Sequence, residues 1–387
     1  KMSKTHRPLA LAALALAAAV ACQPAAAQST TAVKAAVNRA LQVNPEVAAR
    51  LNAFMAQSEA ATAARSGYKP RLDLSAGGGA DITKDQGSGT RTVKNAGAGL
   101  VLSQVLWDGL GAQHEAQRLG HERLVRWFEF VEASEQTALE ASRAVYDLQR
   151  QRRLVQLAED NVAQHRAAAA KIESRAKAGV GRGVDLDQVR ARVALAESNL
   201  ETELANLHDV AARYQRVVGD PPVADAGPLE LLSAGLPASP TDAVQTALAR
   251  HPSIGAGIES VRAARSGEAV RKSALQPRVE ARLRAGAGRN YTGAVPRQAE
   301  AGVEVVMNWN LYDGGADAAR VREQTSLVKQ AQDQRDQACR EVRQTALVAF
   351  NDAMKLGAQI AMLDRNASAI ERAREAYRQQ FDIGQRS

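Results

Sequence analysis

The chain has 387 residues, of which 45% are hydrophobic, 24% charged and 4% aromatic, with a formal net charge of +8. This composition is too apolar for a disordered chain and too poor in aromatics for a compact enzyme core; it suits Ala-rich helices packed side by side. Cys22 and Cys339 are the two cysteines, which excludes a disulfide scaffold and a multi-cysteine metal site. No concentrated Lys/Arg run marks a nucleic-acid surface.

Lys4 and Arg7 precede an apolar run from Leu9 to Cys22, and Ala25-Ala26-Ala27 follows. This is the layout of a secretory signal peptide over residues 1–27, cleaved after Ala27. The alternative is lipidation at Cys22, although Ala19 stands where a lipobox carries Leu. The apolar run is too short to cross a bilayer, and no later window is longer. Any membrane entry by the exported chain therefore requires a closed β-barrel.

Past the leader the sequence is duplicated. Residues 37–77 align without a gap on 244–284: Val37, Ala40, Leu41, Pro45, Pro70 and Arg71 match Val244, Ala247, Leu248, Pro252, Pro277 and Arg278. Farther on, Leu106-Trp107-Asp108-Gly109 falls over Leu311-Tyr312-Asp313-Gly314, and Gly179 over Gly384. The first unit spans 28–218, a Pro/Gly-rich linker 219–241, and the second unit 242–387. The second unit reaches Ser387 without a counterpart of 184–218, so a further helix is expected past that point.

Within each unit the expected order is a short helix, two strands and a long helical hairpin. Pro45 and Pro252 end the short helices, and Pro70 and Pro277 open strands. Between Arg71 and Asp220 there is no proline. Ala141, Leu148, Val155, Val162 and Ala169 recur every seven residues on a helix expected over 112–178, whose length would be about 100 Å. On 184–218, Leu186, Val193, Leu200, Leu207 and Tyr214 form one row, and Val189, Ala196, Val210 and Val217 a second interrupted by Glu203. Two apolar rows at this period are a coiled-coil seam. The hairpin reverses at 179–183. There Gly179-Val180-Gly181-Arg182-Gly183 has a superficial likeness to a phosphate loop, but no Lys-Ser/Thr follows and no strand precedes.

Arg278–Ala285 alternates charged and apolar residues, and Val303, Val305, Met307, Trp309 and Leu311 define an apolar face on the next segment. In the first unit Ala98, Leu100, Leu102 and Leu106 do the same, with Gln104 the exception. A soluble sheet packed on a helix would alternate too. The signal peptide, strands of about ten residues, and aromatics at the ends (Trp107, Trp309, Tyr312) favour a lipid face with membrane-interface aromatics. Four strands are too few to close a barrel, and open edges are too costly in hydrocarbon, so several copies must share one wall.

Catalysis finds little support. His114 and His121 lie seven apart, which is not a ligand spacing, and read as solvated surface histidines. There is no nucleophile elbow, HExxH or paired-carboxylate site. No enzyme, metal or cofactor is expected, and Cys339 reads as a small packing residue. A periplasmic coiled-coil adaptor shares the leader and the hairpins but lacks two duplicated pairs of amphipathic strands.

With its duplicated Trp/Tyr-Asp-Gly strand exits and glycine tips, the chain resembles the TolC-like outer-membrane efflux protein family. Residues Ala373 to Ser387, with Tyr377-Arg378-Gln379-Gln380-Phe381-Asp382-Ile383-Gly384-Gln385-Arg386, look like its type I secretion branch. The resemblance implies a mainly α, mixed α/β membrane protein. In it a homotrimeric α-barrel of long coiled-coil helices continues into a shared transmembrane β-barrel of twelve strands. It implies an outer-membrane duct reaching into the periplasm, with a periplasmic adaptor (membrane fusion protein) and an inner-membrane ATP-binding cassette transporter as partners. Protein export, for example of a large adhesin, is the expected role; a multidrug pump driven by protons is the alternative. By the same resemblance Asp185 and Arg386 form an ion pair closing the periplasmic end, with Phe381 replacing a Tyr of that set. Gly179, Val180, Gly181, Arg182, Gly384 and Gln385 form adaptor-docking tips.

Overall fold

The computed structural model describes residues 26–85, 89–180, 182–223, 235–289 and 298–383. Residues 1–25 of the expected leader therefore lie outside the described residues. The chain forms α1 (Ala26–Val43), α2 (Pro45–Arg65), β1 (Arg71–Asp85), β2 (Gly89–Trp107), α3 (Gly111–Lys177), α4 (Gly183–Val218), α5 (Pro240–Arg250), α6 (Pro252–Ser273), β3 (Arg278–Arg289), β4 (Gln298–Asn308) and α7 (Ala316–Asp382). No described helix is long and apolar enough to cross a membrane.

Each unit thus has two helices before its strands, where the prolines predicted one. The prolines that stop α1 and α5 also start α2 and α6, because proline at the first helical position loses only an N–H that had no intrahelical partner. The residue before each proline caps the new helix. Asn44 Oδ1 accepts from the Glu46 N–H at 2.8 Å, and His251 Nδ1 from the Ser253 N–H at 3.3 Å. Asn44 and His251 are equivalent positions of the repeat. Helix α5 also begins at Pro240, inside the expected linker.

The fold divides into two compact units. One comprises the chain up to Ala48, Ala133–Ser239 and the residues from Ala349; the other comprises Ala49–Glu132 and Pro240–Val348. In the first, α1 packs on α3 and α4 around Val33, Ala36, Ala40, Ala141, Ala144, Val145, Leu148, Tyr214, Val217 and Val218. Arg39 grips Asp220 with Nε–Oδ2 2.7 Å and Nη2–Oδ1 3.1 Å, and this hydrogen bond holds the Asp220 carboxyl below the usual range. Along the α3–α4 hairpin Leu148, Val155 and Val162 are buried, as are Val189 and Ala196. A second α3 row, Thr137, Ala144 and Gln151, is also buried. Two of its three members are polar, which hid it from a search for apolar periodicity. Gln151 meets Glu203, the residue that interrupts the α4 row: its Nε2 donates to the Glu203 carboxylate at 2.5 Å and to the Glu203 carbonyl at 3.2 Å. Past Ala349, by contrast, α7 leaves Leu356, Ile360, Leu363 and Ile370 exposed.

The second unit holds the sheet. Its order is β1-β2-β3-β4, with every neighbouring pair antiparallel. The strands have 15, 19, 12 and 11 residues, longer than expected in the first repeat. Helix α6 lies close against α3 and α7, and two glycines make this possible. A Cβ at Gly255 would meet the Phe128 ring at 2.6 Å, and one at Gly257 would meet Arg335 at 3.1 Å. Phe54, Trp127 and Phe130 stack in a tilted series, with centroids 5.4 and 5.5 Å apart.

Candidate functional site

The register sorts the sheet's side chains into two faces. Pairs directly opposite share a face, and the face alternates along each strand. On one face, Leu72 pairs with Leu102 and Leu102 with Leu283, which pairs with Val303; Leu74, Leu100, Ala285 and Ala301 form the next row. These side chains are exposed, Leu74 at 71% and Val303 at 77%. The opposite face carries Arg71, Ser103, Arg282 and Glu304 in one row, and Asp73, Val101, Arg284 and Gly302 in the next. The apolar face runs from Val279 to Ala287 along β3 before Arg289. Eight steps from Val279 to Ala287 cover about 26 Å, or about 20 Å of height at the tilt of membrane barrels, near the 25 Å or so of an apolar girdle.

The rim of that face is built twice, by equivalent residues. Gln104 Nε2 donates to the carbonyl of Tyr68; at the corresponding place in the second repeat, Trp309 Nε1 donates to the carbonyl of Leu275 at 3.1 Å. The polar residue that breaks the apolar alternation of β2 thus ties the strand exit to the preceding turn. Asp108 caps α3 through the Ala112 N–H at 2.9 Å, and Asp313 caps α7 through the Asp317 N–H at 2.7 Å. The Tyr68 hydroxyl donates to Asp108, and desolvation with that bond pushes its pKa up to about 12. Tyr68 has no counterpart hydroxyl in the second repeat, where Leu275 stands.

Trp107 ends β2, but a bulge between Val105 and Trp107 sets Trp107, rather than Leu106, opposite Val279. Trp309, Leu311 and Tyr312 lie past the end of β4 instead of within it, with Tyr312 86% exposed.

Within the first compact unit, α3 closes in a Schellman turn: Gly179 has φ +76°, its N–H bonds the Ala176 carbonyl at 3.1 Å, and the Val180 N–H bonds the Arg175 carbonyl at 3.1 Å. Arg182, extended, is the N-cap of α4 and makes no side-chain cap bond, and Asp185 lies in the first turn. Val180 is 79% and Val184 75% exposed. Gly181, Gly384, Gln385 and Arg386 lie outside the described residues. Phe381 is placed: the Arg175 guanidinium stands 4.2 Å over its ring and donates to its carbonyl at 3.1 Å. Arg175 was missed in the sequence because nothing in its own helix marks it.

The histidines face different partners. His114 meets Gln117, whereas His121 Nδ1 lies 2.7 Å from Glu259, a buried carboxylate that Arg262 also holds at 2.7 Å. His121 is therefore a packing partner of α6, not a solvated surface residue. No group of three or more His, Cys, Asp or Glu among the described residues is placed to hold a metal.

The outer membrane efflux protein BepC of Brucella suis is 25% identical over 334 residues, which cover 86% of this chain and 72% of that protein. Among solved structures, VceC of Vibrio cholerae superposes with TM-score 0.77 at 15% identity, covering 92% of this chain and 87% of that one. The open-state MtrE channel of Neisseria gonorrhoeae gives 0.75 at 14%, covering 91% and 80%. These two show a shared fold. The model of the outer membrane efflux protein family matches residues 36–219 and 243–387, and the chain belongs to that family.

Proposed function

We propose that three copies of this chain close their sheets into one twelve-stranded outer-membrane barrel. The barrel is the exit duct of a tripartite export system whose energy comes from an inner-membrane partner. The observation that carries this reading is the sheet itself. One face is apolar and exposed, the other carries the charged residues, and among the described residues β1 and β4 are the edge strands of the sheet. Free edges in hydrocarbon are too costly to leave unpaired, and joining β4 of each copy to β1 of the next removes them. Family members are passive channels and not enzymes.

Within that role we assign the duct to type I secretion, on the likeness of Ala373–Ser387 to that branch. An adaptor docks at the tips, where Val180 and Val184 offer exposed apolar surface, and the inner-membrane partner is an ATP-binding cassette transporter. Asp185, Arg386 and Phe381 restrain the periplasmic end. The second reading, multidrug efflux with a proton-driven pump, is favoured by the description of BepC as an efflux protein.

The test of the barrel is whether purified protein migrates as a heat-modifiable trimer and conducts in planar bilayers. A monomer that stays dispersed without detergent overturns it. Deleting the gene separates the two roles: a lost secreted protein supports secretion, and an unchanged secretome with raised drug sensitivity supports efflux. Asp185→Ala is expected to raise single-channel conductance, and unchanged conductance removes it from the gate.

A further inference from the structure

The charged face of the sheet has a pattern of its own, and its interpretation rests on the reading above that this face lines a water-filled barrel. Arg278 and Arg282 share one carboxylate: Arg278 Nε reaches Glu280 Oε1 at 2.7 Å and Arg282 Nη2 reaches Glu280 Oε2 at 2.9 Å. Two further arginines of the face bond to other carboxylates, Arg71 to Asp73 at 3.0 Å and Arg284 to Glu304 at 2.6 Å. Arg278, Arg282 and Arg284 against Glu280 and Glu304 therefore leave one positive charge in excess per chain at this place. The Glu280 side chain is 13% exposed, whereas those of Arg278 and Arg282 are 53% and 36% exposed, so the guanidinium edges are what solvent meets.

Immediately farther along the same face the wall is nearly bare. Gly99 pairs with Gly286, and Gly97 with both Gly77 and Gly288. Glu300 and Asp81 stand farther along this face. Exposed ion pairs add little to stability, so neutral residues would serve the fold equally well. Stability alone does not call for four arginines gathered on one face.

We propose that Arg278, Glu280 and Arg282 form an anion-concentrating station in the barrel wall. Three copies set three excess positive charges around one level, next to the glycine rows. Guanidinium edges donate in a fork that matches carboxylates, and a low-dielectric wall strengthens their field. The species it draws are carboxylate-bearing solutes and acidic polypeptide segments in transit.

Gly302 offers a local probe. It pairs with Arg284 on this face, and a Cβ there would have no neighbour within 4 Å. With Cys22 and Cys339 replaced by Ser, channels carrying Gly302→Cys are treated in planar bilayers with anionic and with cationic methanethiosulfonates. The anionic reagent is expected to react about tenfold faster relative to the cationic one. Arg282→Gln, or Arg278→Gln should the first fail to assemble, brings that ratio toward one, and Glu280→Gln raises it. A ratio unmoved by the arginine substitution in channels that still conduct overturns the station. Reaction at Val303→Cys with none at Gly302→Cys inverts the faces and overturns the barrel reading instead.

Discussion

The polar layer in the α3–α4 seam makes a sharp energetic prediction. Gln151 is 4% exposed and sits in a row otherwise filled by Thr137 and Ala144, facing the one acidic residue of the α4 seam. Its amide makes a charge-assisted bond to the Glu203 carboxylate and a second bond to the Glu203 carbonyl. A hydrogen bond to a charged group contributes about 1.5–3 kcal/mol and a neutral one about 1 kcal/mol. Gln151→Leu loses both and recovers about 1–2 kcal/mol of apolar burial, so a net cost of about 2 kcal/mol is expected. Glu203→Leu removes the charge-assisted bond and leaves the Gln151 amide only the carbonyl of residue 203, for a net cost of about 1 kcal/mol. Gln151→Leu with Glu203→Leu removes both partners and completes an apolar seam, which brings stability back to or above the parent. The coupling energy is then about 3 kcal/mol. The assay is thermal unfolding of the purified protein followed by helical circular dichroism, comparing the parent, both single variants and the double variant. If the double variant is the least stable of the four, the two side chains act independently and the seam argument fails.

Two further predictions rest on the strand exits. Leu110 has φ +67°, a left-handed conformation costing a side-chain-bearing residue about 1 kcal/mol or more, while its repeat equivalent is Gly315 with φ +89°. Leu110→Gly should therefore unfold at a higher temperature than Leu110→Ala, by about 1 kcal/mol; the reverse order would show that the backbone there relaxes. Tyr68 titrates near pH 12 in the folded protein against about 10 unfolded, because burial and the bond to Asp108 favour the neutral phenol. A raised value means its contribution is fully present below pH 10 and is lost as pH rises toward about 12. The tyrosinate absorbance difference between parent and Tyr68→Phe should have its midpoint near 12, and it should move down in Asp108→Ala. A midpoint near 10 in the parent would mean the phenol is solvated.

How far the sequence could be read depended on whether a feature is periodic. The heptads of α4 and the row Ala141, Leu148, Val155, Val162 were visible because burial selects apolar residues at a fixed interval, and four of those positions on α3 are buried as expected. The strand faces were visible for the same reason, since alternation at period two is what a two-faced sheet imposes. Helices α2 and α6 were not, because in Ala-rich sequence a proline is legible as a stop, while its second role as a start depends on the cap before it. The bulge at Val105–Trp107 leaves no trace in composition. Arg175 over Phe381 joins residues 206 apart in the chain, and nothing in either helix announces the other.

The duplication explains the most misleading residue of all. Gln104 reads as a flaw in a lipid-facing strand, and Trp309 as an ordinary interfacial aromatic. They are equivalent positions, and each sends one N–H to the carbonyl of the residue two before the proline that opens the neighbouring strand. That carbonyl lies in a turn where no ladder partner is available, so something must satisfy it. An amide does so in one unit and an indole in the other. What the repeat has kept is a donor at a fixed place, not a residue type. Matching side chains by similarity loses such a feature, whereas asking where each backbone group finds its partner recovers it.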